Sequence, residues 1–311
     1  QLKSIEEHIK FGLNIHSFRK DFYQDFVDYF VFERGQQNST IKDNAVKKIN
    51  TFLNWLVSSG HIERNEFKGI KFPYKINPAD TVSLTEQELN TIYNLDLSQN
   101  DKLKQVRDVF CLECYTGLRY SDAKKVSKSN ISGDSLKIFT KKTTDHLEIP
   151  LRDESLKLLN SYFEKNLSLP EISTQKMNDY LKELGELCEF NDTINILKIS
   201  GNSKTELVKH KYELLTTHTG RRTFVTLSYQ KGIPDFLLMR ITGHKSIETF
   251  RKYYRIKDID AKKTFLEAWA TIQPKYNTSE IIKNLIIKKV SLKTIAFSLG
   301  IDIEEIRKVI S

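Results

Sequence analysis

Three cysteines among 311 residues are too few for a disulfide framework. Cys111 and Cys114 do form a C-x-x-C, but they sit inside the apolar run V-F-C-L-E-C-Y, and no second pair exists to complete a zinc site. They read as core thiols of a chain kept in a reducing cytoplasm. No apolar run reaches about 18 residues, which argues against a membrane span. A signal peptide is also missing. No acidic cluster suggests magnesium and no glycine-rich phosphate loop suggests a nucleotide, so no metal and no cofactor is expected. The first residue is Gln1 rather than Met, so a piece of a longer product is expected, with room for a further segment ahead of it.

What is present is charge and helical periodicity. Lys and Arg number 49 against 40 Asp and Glu, a net charge of +9. That excess favours a polyanionic partner and also fits many soluble proteins. Its spread along the whole chain suggests a broad footprint. The length allows two or three domains.

Residues 1–75 read as all helical. Phe18, Phe22, Phe26, Tyr29 and Phe30 recur at three- and four-residue spacing, as do Val46, Ile49, Leu53 and Leu56 ahead of Gly60. The aromatic stripe reads as core, which leaves Lys42, Lys47 and Lys48 on a solvated or phosphate-facing side. Pro73 and Pro78 mark a linker. A fresh helix start follows at T-E-Q-E, Thr85–Glu88, a capping box. From there a helical pattern runs to about Tyr115, then a turn at Thr116–Gly117 and a short helix from Ser121. The runs S-L-K-I-F-T and H-L-E-I-P-L predict a hairpin with lysines at its bend. Helices are predicted over 153–165, 174–189, 218–231, 234–241, 246–254 and 258–272, with a second hairpin around 194–212. Pro274 closes this part.

The fold class expected is therefore multi-domain and mainly α. An all-α domain (1–79) precedes an α+β domain with a small β-hairpin sheet (80–275), and a helical tail follows (276–311). In the tail, Ala296 and Gly300 lie four apart among Ile295, Leu299, Ile301, Ile306 and Val309, a pattern that suits a helix-turn-helix. It suits equally a tail that packs on its own domain or on a neighbouring subunit, and both readings stand.

Three basic clusters carry the chemistry: T-G-L-R-Y-S-D at Thr116–Asp122, H-T-G-R-R-T at His218–Thr223, and G-H-K-S-I-E-T-F-R-K-Y-Y from Gly243 to Tyr254. They contain the parts needed to cut a phosphodiester without metal or water. Two guanidiniums can clamp phosphoryl oxygens in fixed fork geometry. A tyrosine can attack and store the bond as a phosphotyrosine. Its free pKa of about 10 calls for a nearby base or a positive field. A lysine or histidine can protonate the departing sugar oxygen. Arg119 follows a glycine turn, and His218 and Arg221 share one face of a helix start. Lys142 lies at a hairpin bend. His244 follows Gly243 at a helix start, placed to donate to a phosphate oxygen. Tyr253 is on that helix or just beyond it. Each residue alone has an ordinary structural explanation; the set in this order does not.

These motifs resemble the tyrosine recombinases, or phage-type integrases, over roughly residues 1–275. T-G-L-R-Y-S-D resembles the first-arginine motif, which implies Arg119 as a phosphate clamp and Asp122 as the acidic residue supporting it. K-K-T-T-D-H-L-E-I-P-L resembles the catalytic-lysine hairpin. The family's lysine lies eight residues before the proline, so Pro150 selects Lys142 over Lys141. T-T-H-T-G-R-R-T-F resembles the His-x-x-Arg motif, implying His218 as acid/base and Arg221 as second clamp, with Arg222 outside the pattern. G-H of I-T-G-H-K-S resembles the third histidine site. The family's nucleophile nine residues on selects Tyr253 and leaves Tyr254 as neighbour. No position of the constellation departs from the pattern.

The resemblance implies site-specific recombination of double-stranded DNA through a covalent 3′-phosphotyrosine, moving a phage or transposon. It further implies a homo-tetramer on DNA, accessory DNA-bending or directionality proteins, and work on the nucleoid in the cytoplasm. Residues 1–79 would clamp DNA, with Lys42, Lys47, Lys48, Lys141 and Arg222 as candidate DNA contacts. Two other readings were weighed: a DNA-binding regulator or accessory factor with a recombinase-like body, and a type IB topoisomerase or telomere resolvase sharing the chemistry.

Overall fold

The computed structural model describes residues 2–77, 81–140, 146–253, 291–292, 296 and 302–310. Contacts divide the chain into two compact units, residues 1–254 and 255–311.

The first unit opens with α1 (Leu2–Ile9), α2 (Lys20–Asp28), α3 (Asn38–Thr40) and α4 (Lys47–Ser58). The aromatic stripe is core. Phe18, Tyr23 and Phe26 meet the ring of Phe67 edge-on at 5.9, 5.0 and 5.9 Å, and Phe30, Ile49, Leu53 and Leu56 are buried around them. Edge-to-face contact sets the positive rim of one ring against the negative face of another, so this cluster gains more than its buried area. Lys42, Lys47 and Lys48 are exposed, as expected. Periodicity did not reveal that α2 widens into a π-helix at Tyr29–Glu33, or that a second π-helical run, Ile41–Val46, leads into α4. The wider turns rotate the following side chains relative to a 3.6-residue pattern, and Phe32 is left facing solvent.

A second core begins at Val82. The predicted capping box starts α5 (Glu86–Asn94): Thr85 Oγ1 accepts from the Glu88 N–H at 3.2 Å, and the Glu88 carboxylate accepts from the Thr85 N–H at 2.6 Å. That carboxylate also takes Lys211 Nζ at 2.6 and 2.8 Å in a largely buried pair. The continuous helical pattern expected from 85 to 115 is broken at 95–100. Asp96 accepts from the Ser98 N–H, and Asn100 caps α6 (Asp101–Thr116) by accepting from the Leu103 N–H. Short polar side chains that bond their own backbone outcompete helix continuation here.

The helix α6 is the axis of this core, with every residue from Val109 to Thr116 buried. After α7 (Tyr120–Ala123) come β1 (Ile131–Ser132), β2 (Ser135–Phe139) and β3 (His146–Pro150), an antiparallel sheet in that order. Leu136 opposes Ile149 and Ile138 opposes Leu147, all four facing the core. The sheet is thus one short strand larger than the predicted hairpin. Next come α8 (Asp153–Phe163), α9 (Thr174–Leu187), the hairpin β4 (Thr193–Ser200) and β5 (Ser203–His210), α10 (Thr217–Gln230), α11 (Asp235–Thr242) and α12 (Ile247–Arg251).

The two cores share a joint. Asn38, almost wholly buried, donates Nδ2 to the carbonyls of Lys75 (2.9 Å) and Gly201 (2.8 Å), and its Oδ1 accepts from the Gly201 N–H at 2.7 Å. Ser200 Oγ adds a bond to the Gln36 carbonyl at 2.9 Å. The tip of the β4–β5 hairpin is therefore fixed to the helical cluster.

In the second unit a helix covers Ile303–Ile310, with the Asp302 carboxylate accepting from the Glu304 N–H at its start. The predicted helix 258–272, the boundary at Pro274, most of the helix-turn-helix pattern, Pro78 and the hairpin bend with Lys141 and Lys142 lie outside the described residues.

Candidate active site

Two helices end in the same way on facing sides of one arginine. At the end of α6, Thr116 Oγ1 donates back to the Leu112 carbonyl at 2.6 Å, and Gly117 turns left-handed at φ +69°. At the end of α11, Thr242 Oγ1 donates to the Leu238 carbonyl at 2.6 Å, and Gly243 turns at φ +69°. A left-handed turn at the helix end favours glycine, and at Gly117 a side chain is also excluded because its Cβ would stand 2.5 Å from Phe224. Arg221, on α10 and only 1% exposed, donates Nη1 to the Gly117 carbonyl at 2.8 Å and Nη2 to the Thr242 carbonyl at 2.6 Å. One guanidinium thus fixes both turns, and each turn delivers a predicted site residue: Arg119 after the first, His244 after the second.

Arg119 precedes α7 with an extended backbone. Its Nη1 is buried without a hydrogen-bond partner among the described residues, and so is Arg221 Nε. A buried cationic donor left unmatched is costly. Two such donors from neighbouring arginines suit the oxygens of an anion such as a phosphodiester. Asp122 is buried one helical turn from Arg119, its N–H bonded to the Arg119 carbonyl at 2.8 Å, and its negative charge helps hold Arg221 protonated. Burial and the charge of Arg119 lower Arg221 to about 10 while Tyr253 opposes them, so Arg221 stays charged at neutral pH.

His244 stands beside Arg221. Burial first, then the charges of Arg221, Arg119 and His218, push it down to about 3, so the ring is neutral. Thr242 Oγ1 lies 2.7 Å from Nδ1. Its hydroxyl hydrogen is already given to Leu238, so the threonine oxygen accepts from Nδ1–H. Arg221 Nη2 lies 3.1 Å from Nε2 and 3.3 Å from Nδ1, close against the ring. In this arrangement the neutral His244 ring packs against the Arg221 guanidinium.

Tyr253 lies two residues beyond the end of α12, in a turn closed by its N–H to the Phe250 carbonyl at 2.9 Å. Its hydroxyl is 2.8 Å from His218 Nε2. Its ring packs against His218 (5.1 Å between centroids) and His244 (4.8 Å), with the guanidinium carbons of Arg221 and Arg222 at 5.7 and 5.3 Å. Five of the six predicted catalytic residues thus meet in one cluster; the sixth, Lys142, is outside the described residues. Arg222, a candidate DNA contact, donates Nη1 to the Lys252 and Tyr253 carbonyls.

Sequence reasoning missed Thr242, whose signal was the repeated T-G at 116–117 and 242–243. It also missed Glu113, wholly buried on α6 with both carboxyl oxygens unpartnered among the described residues. Burial holds its carboxyl well above the usual range, with Arg221 opposing. Among the described residues no group of His, Cys, Asp or Glu is placed to hold a metal ion, and no helix is long and apolar enough to cross a membrane.

A model of the phage integrase family matches residues 83–259, more than half of the chain and all of this cluster. The chain belongs to the phage integrase family. A tyrosine recombinase of Thermosipho africanus (strain TCF52B) is 24% identical over 215 residues, 68% of this chain and 70% of its own length. A probable integrase/recombinase of Acholeplasma phage L2 is 23% identical over 260 residues, 80% of this chain and 83% of its own. Among solved structures, the Tn1549 transposon integrase in complex with circular intermediate DNA aligns over 85% of this chain and 90% of its own, at 15% identity and a TM-score of 0.59. A lambda integrase dimer bound to a COC′ core site aligns over 82% and 90%, at 18% identity and 0.56. These likenesses establish the fold: this family member is mainly helical with small antiparallel sheets, as expected from its sequence.

Proposed function

We propose that this integrase-family chain is a site-specific DNA recombinase acting through a covalent 3′-phosphotyrosine. Tyr253 Oη attacks the scissile phosphorus, its proton passes to His218 Nε2, and the bond from phosphorus to the 5′ oxygen breaks. The departing 5′ oxygen receives a proton from a general acid and leaves as a hydroxyl; Lys142 remains the sequence-based choice for that acid. Arg119 and Arg221 hold the phosphoryl oxygens as charge builds on them. Asp122 supports that charge and His244 packs against Arg221. One phosphoester replaces another, so the step needs neither ATP nor a metal to balance. A free 5′-hydroxyl attacking the phosphotyrosine then rejoins the strand.

The observation that carries the reading is the Tyr253 hydroxyl held 2.8 Å from His218 Nε2 beside two arginines with idle buried donors. The finer assignments belong to the same proposal: residues 1–79 as a DNA-gripping domain with Lys42, Lys47 and Lys48 toward phosphates, 80–275 as the catalytic domain, and 276–311 as the tail. So do a tetramer on double-stranded DNA with accessory proteins, and the movement of a phage or transposon.

A covalent-adduct assay tests it. Nicked duplexes spanning the DNA that borders this gene let the cleaved strand diffuse away and leave a detergent-resistant protein–DNA band. The band is expected with the wild type and not with Tyr253→Phe. A band that survives in Tyr253→Phe moves the nucleophile to Tyr254 or elsewhere. Binding without any band across those duplexes counts against cleavage and favours a regulator.

A further inference from the structure

Arg222 follows the second clamp residue directly, yet a helix turns about 100° per residue, so the two side chains leave α10 in different directions. Arg221 enters the core. Arg222 donates Nη1 to the Lys252 carbonyl at 2.6 Å and to the Tyr253 carbonyl at 3.0 Å, with its guanidinium carbon 5.3 Å from the Tyr253 ring centroid. One turn further along α10, Thr226 Oγ1 donates to the same Tyr253 carbonyl at 3.4 Å. One turn back, His218 holds the Tyr253 hydroxyl. Positions 218, 222 and 226 are four apart and form one stripe along the helix. Tyr253 lies along it, hydroxyl at the first position, ring over the second, and carbonyl between the second and third.

This anchorage answers a specific weakness. The helix α12 has only five residues and ends at Arg251, so the carbonyls of Lys252 and Tyr253 lie past its end. The compact unit itself stops at Tyr254. Without an outside donor, the backbone carrying the attacking oxygen would be held mainly by one turn bond to Phe250. A misplacement of about 1 Å at a reacting group costs on the order of 100-fold in rate.

Resting on Tyr253 as the nucleophile, we infer that Arg222 is a positioning residue. It pins the backbone of Lys252 and Tyr253 to the helix that carries the base, so nucleophile and base are set by one rigid element of the same chain. The work of Arg222 is on the protein's own carbonyls and not on DNA.

The test uses the full chain on the nicked duplex, comparing wild type, Arg222→Met and Arg222→Lys in single-turnover adduct rate and gel-shift affinity. Arg222→Met is expected to slow adduct formation about 100-fold with affinity unchanged. Arg222→Lys is expected to recover much of the rate, because an ammonium can donate to a carbonyl whereas it does not replace a bidentate guanidinium on a phosphate. An unchanged rate in Arg222→Met overturns the inference, as does a loss of affinity that accompanies the loss of rate. An equal failure of Met and Lys variants assigns Arg222 to the phosphate instead. No adduct from the wild type on DNA that it binds would bring down the nucleophile assignment itself. An adduct lost in Tyr253→Phe but kept in Arg222→Met would bring down this inference alone.

Discussion

The hydroxyl of Tyr253 and Nε2 of His218 stand 2.8 Å apart, one on a turn after α12 and the other in the first turn of α10. Neither position is adjacent in sequence, and the pair is close enough for direct proton transfer. His218→Ala should lower the adduct rate on the order of 100- to 10,000-fold, the usual worth of a positioned base. DNA affinity should hold, since contacts to phosphates elsewhere dominate it. Single-turnover kinetics with a parallel gel shift checks both, and a His218→Ala protein of wild-type rate would remove this histidine from the mechanism.

Arg221 serves the fold as well as the site. Replacing it by alanine strands the Gly117 and Thr242 carbonyls, each an unmatched buried acceptor worth about 1–3 kcal/mol. Arg221→Ala should therefore lose cleavage and also melt at a clearly lower temperature. Arg119→Ala should lose cleavage with little change in melting, because its Nη1 has no protein partner among the described residues to abandon. Thermal denaturation of the two variants side by side separates the roles, and identical melting shifts would refute the distinction.

Two groups shifted by desolvation, His244 and Glu113, give the stability opposite pH slopes. His244 is depressed to about 3 from an ordinary 6.5, so between those values the unfolded chain binds a proton that the folded chain does not. Its contribution is full above 6.5 and is lost as pH falls toward 3. Glu113 is raised above 4.5 by burial, so its contribution is full below 4.5 and is lost as pH rises through its folded value. In urea titrations at pH 5 and pH 8, Glu113→Gln should gain relative to wild type at the higher pH. His244→Gln should lose less than wild type on going from pH 7 to pH 4. The reverse pattern in either variant would contradict the environment described for that group.

The C-x-x-C should be chemically silent. Cys111 and Cys114 are fully enclosed on α6 and burial pushes both thiols up, while Cys188 is half-buried and raised to about 11. A thiolate is the reactive form, so alkylation of the native protein at pH 8 should modify Cys188 at most, and slowly. Intact-mass measurement before and after denaturation counts the labels. Rapid native labelling of three thiols would show that α6 is not the closed axis described.

Much of the site was legible because its residues announce themselves through turn chemistry: T-G before Arg119, Gly243 before His244, and His218 three before Arg221. The helix boundaries near 174, 217 and 235 followed from the helical pattern. The break at 95–100 was written in Asp96, Ser98 and Asn100, but the apolar repeat on either side was given more weight. Other features had no local signature. A π-helical turn at Tyr29–Glu33 uses the same residues an α-helix would. Arg222 looked like a spare cation beside a motif, and only the path of the chain after α12 makes it an anchor. Glu113 broke the rule that a buried run is apolar, and nothing nearby in sequence explains it.

Asn38 bridges positions 163 residues apart with two of the three hydrogen bonds its amide makes. The joint closes a long loop between the two cores, a cost in entropy that is best met once both surfaces are formed. The joint should therefore couple the two cores into one melting transition. Severing it should leave each core intact and uncouple their transitions, so that cooperativity, more than total stability, is what this joint supplies.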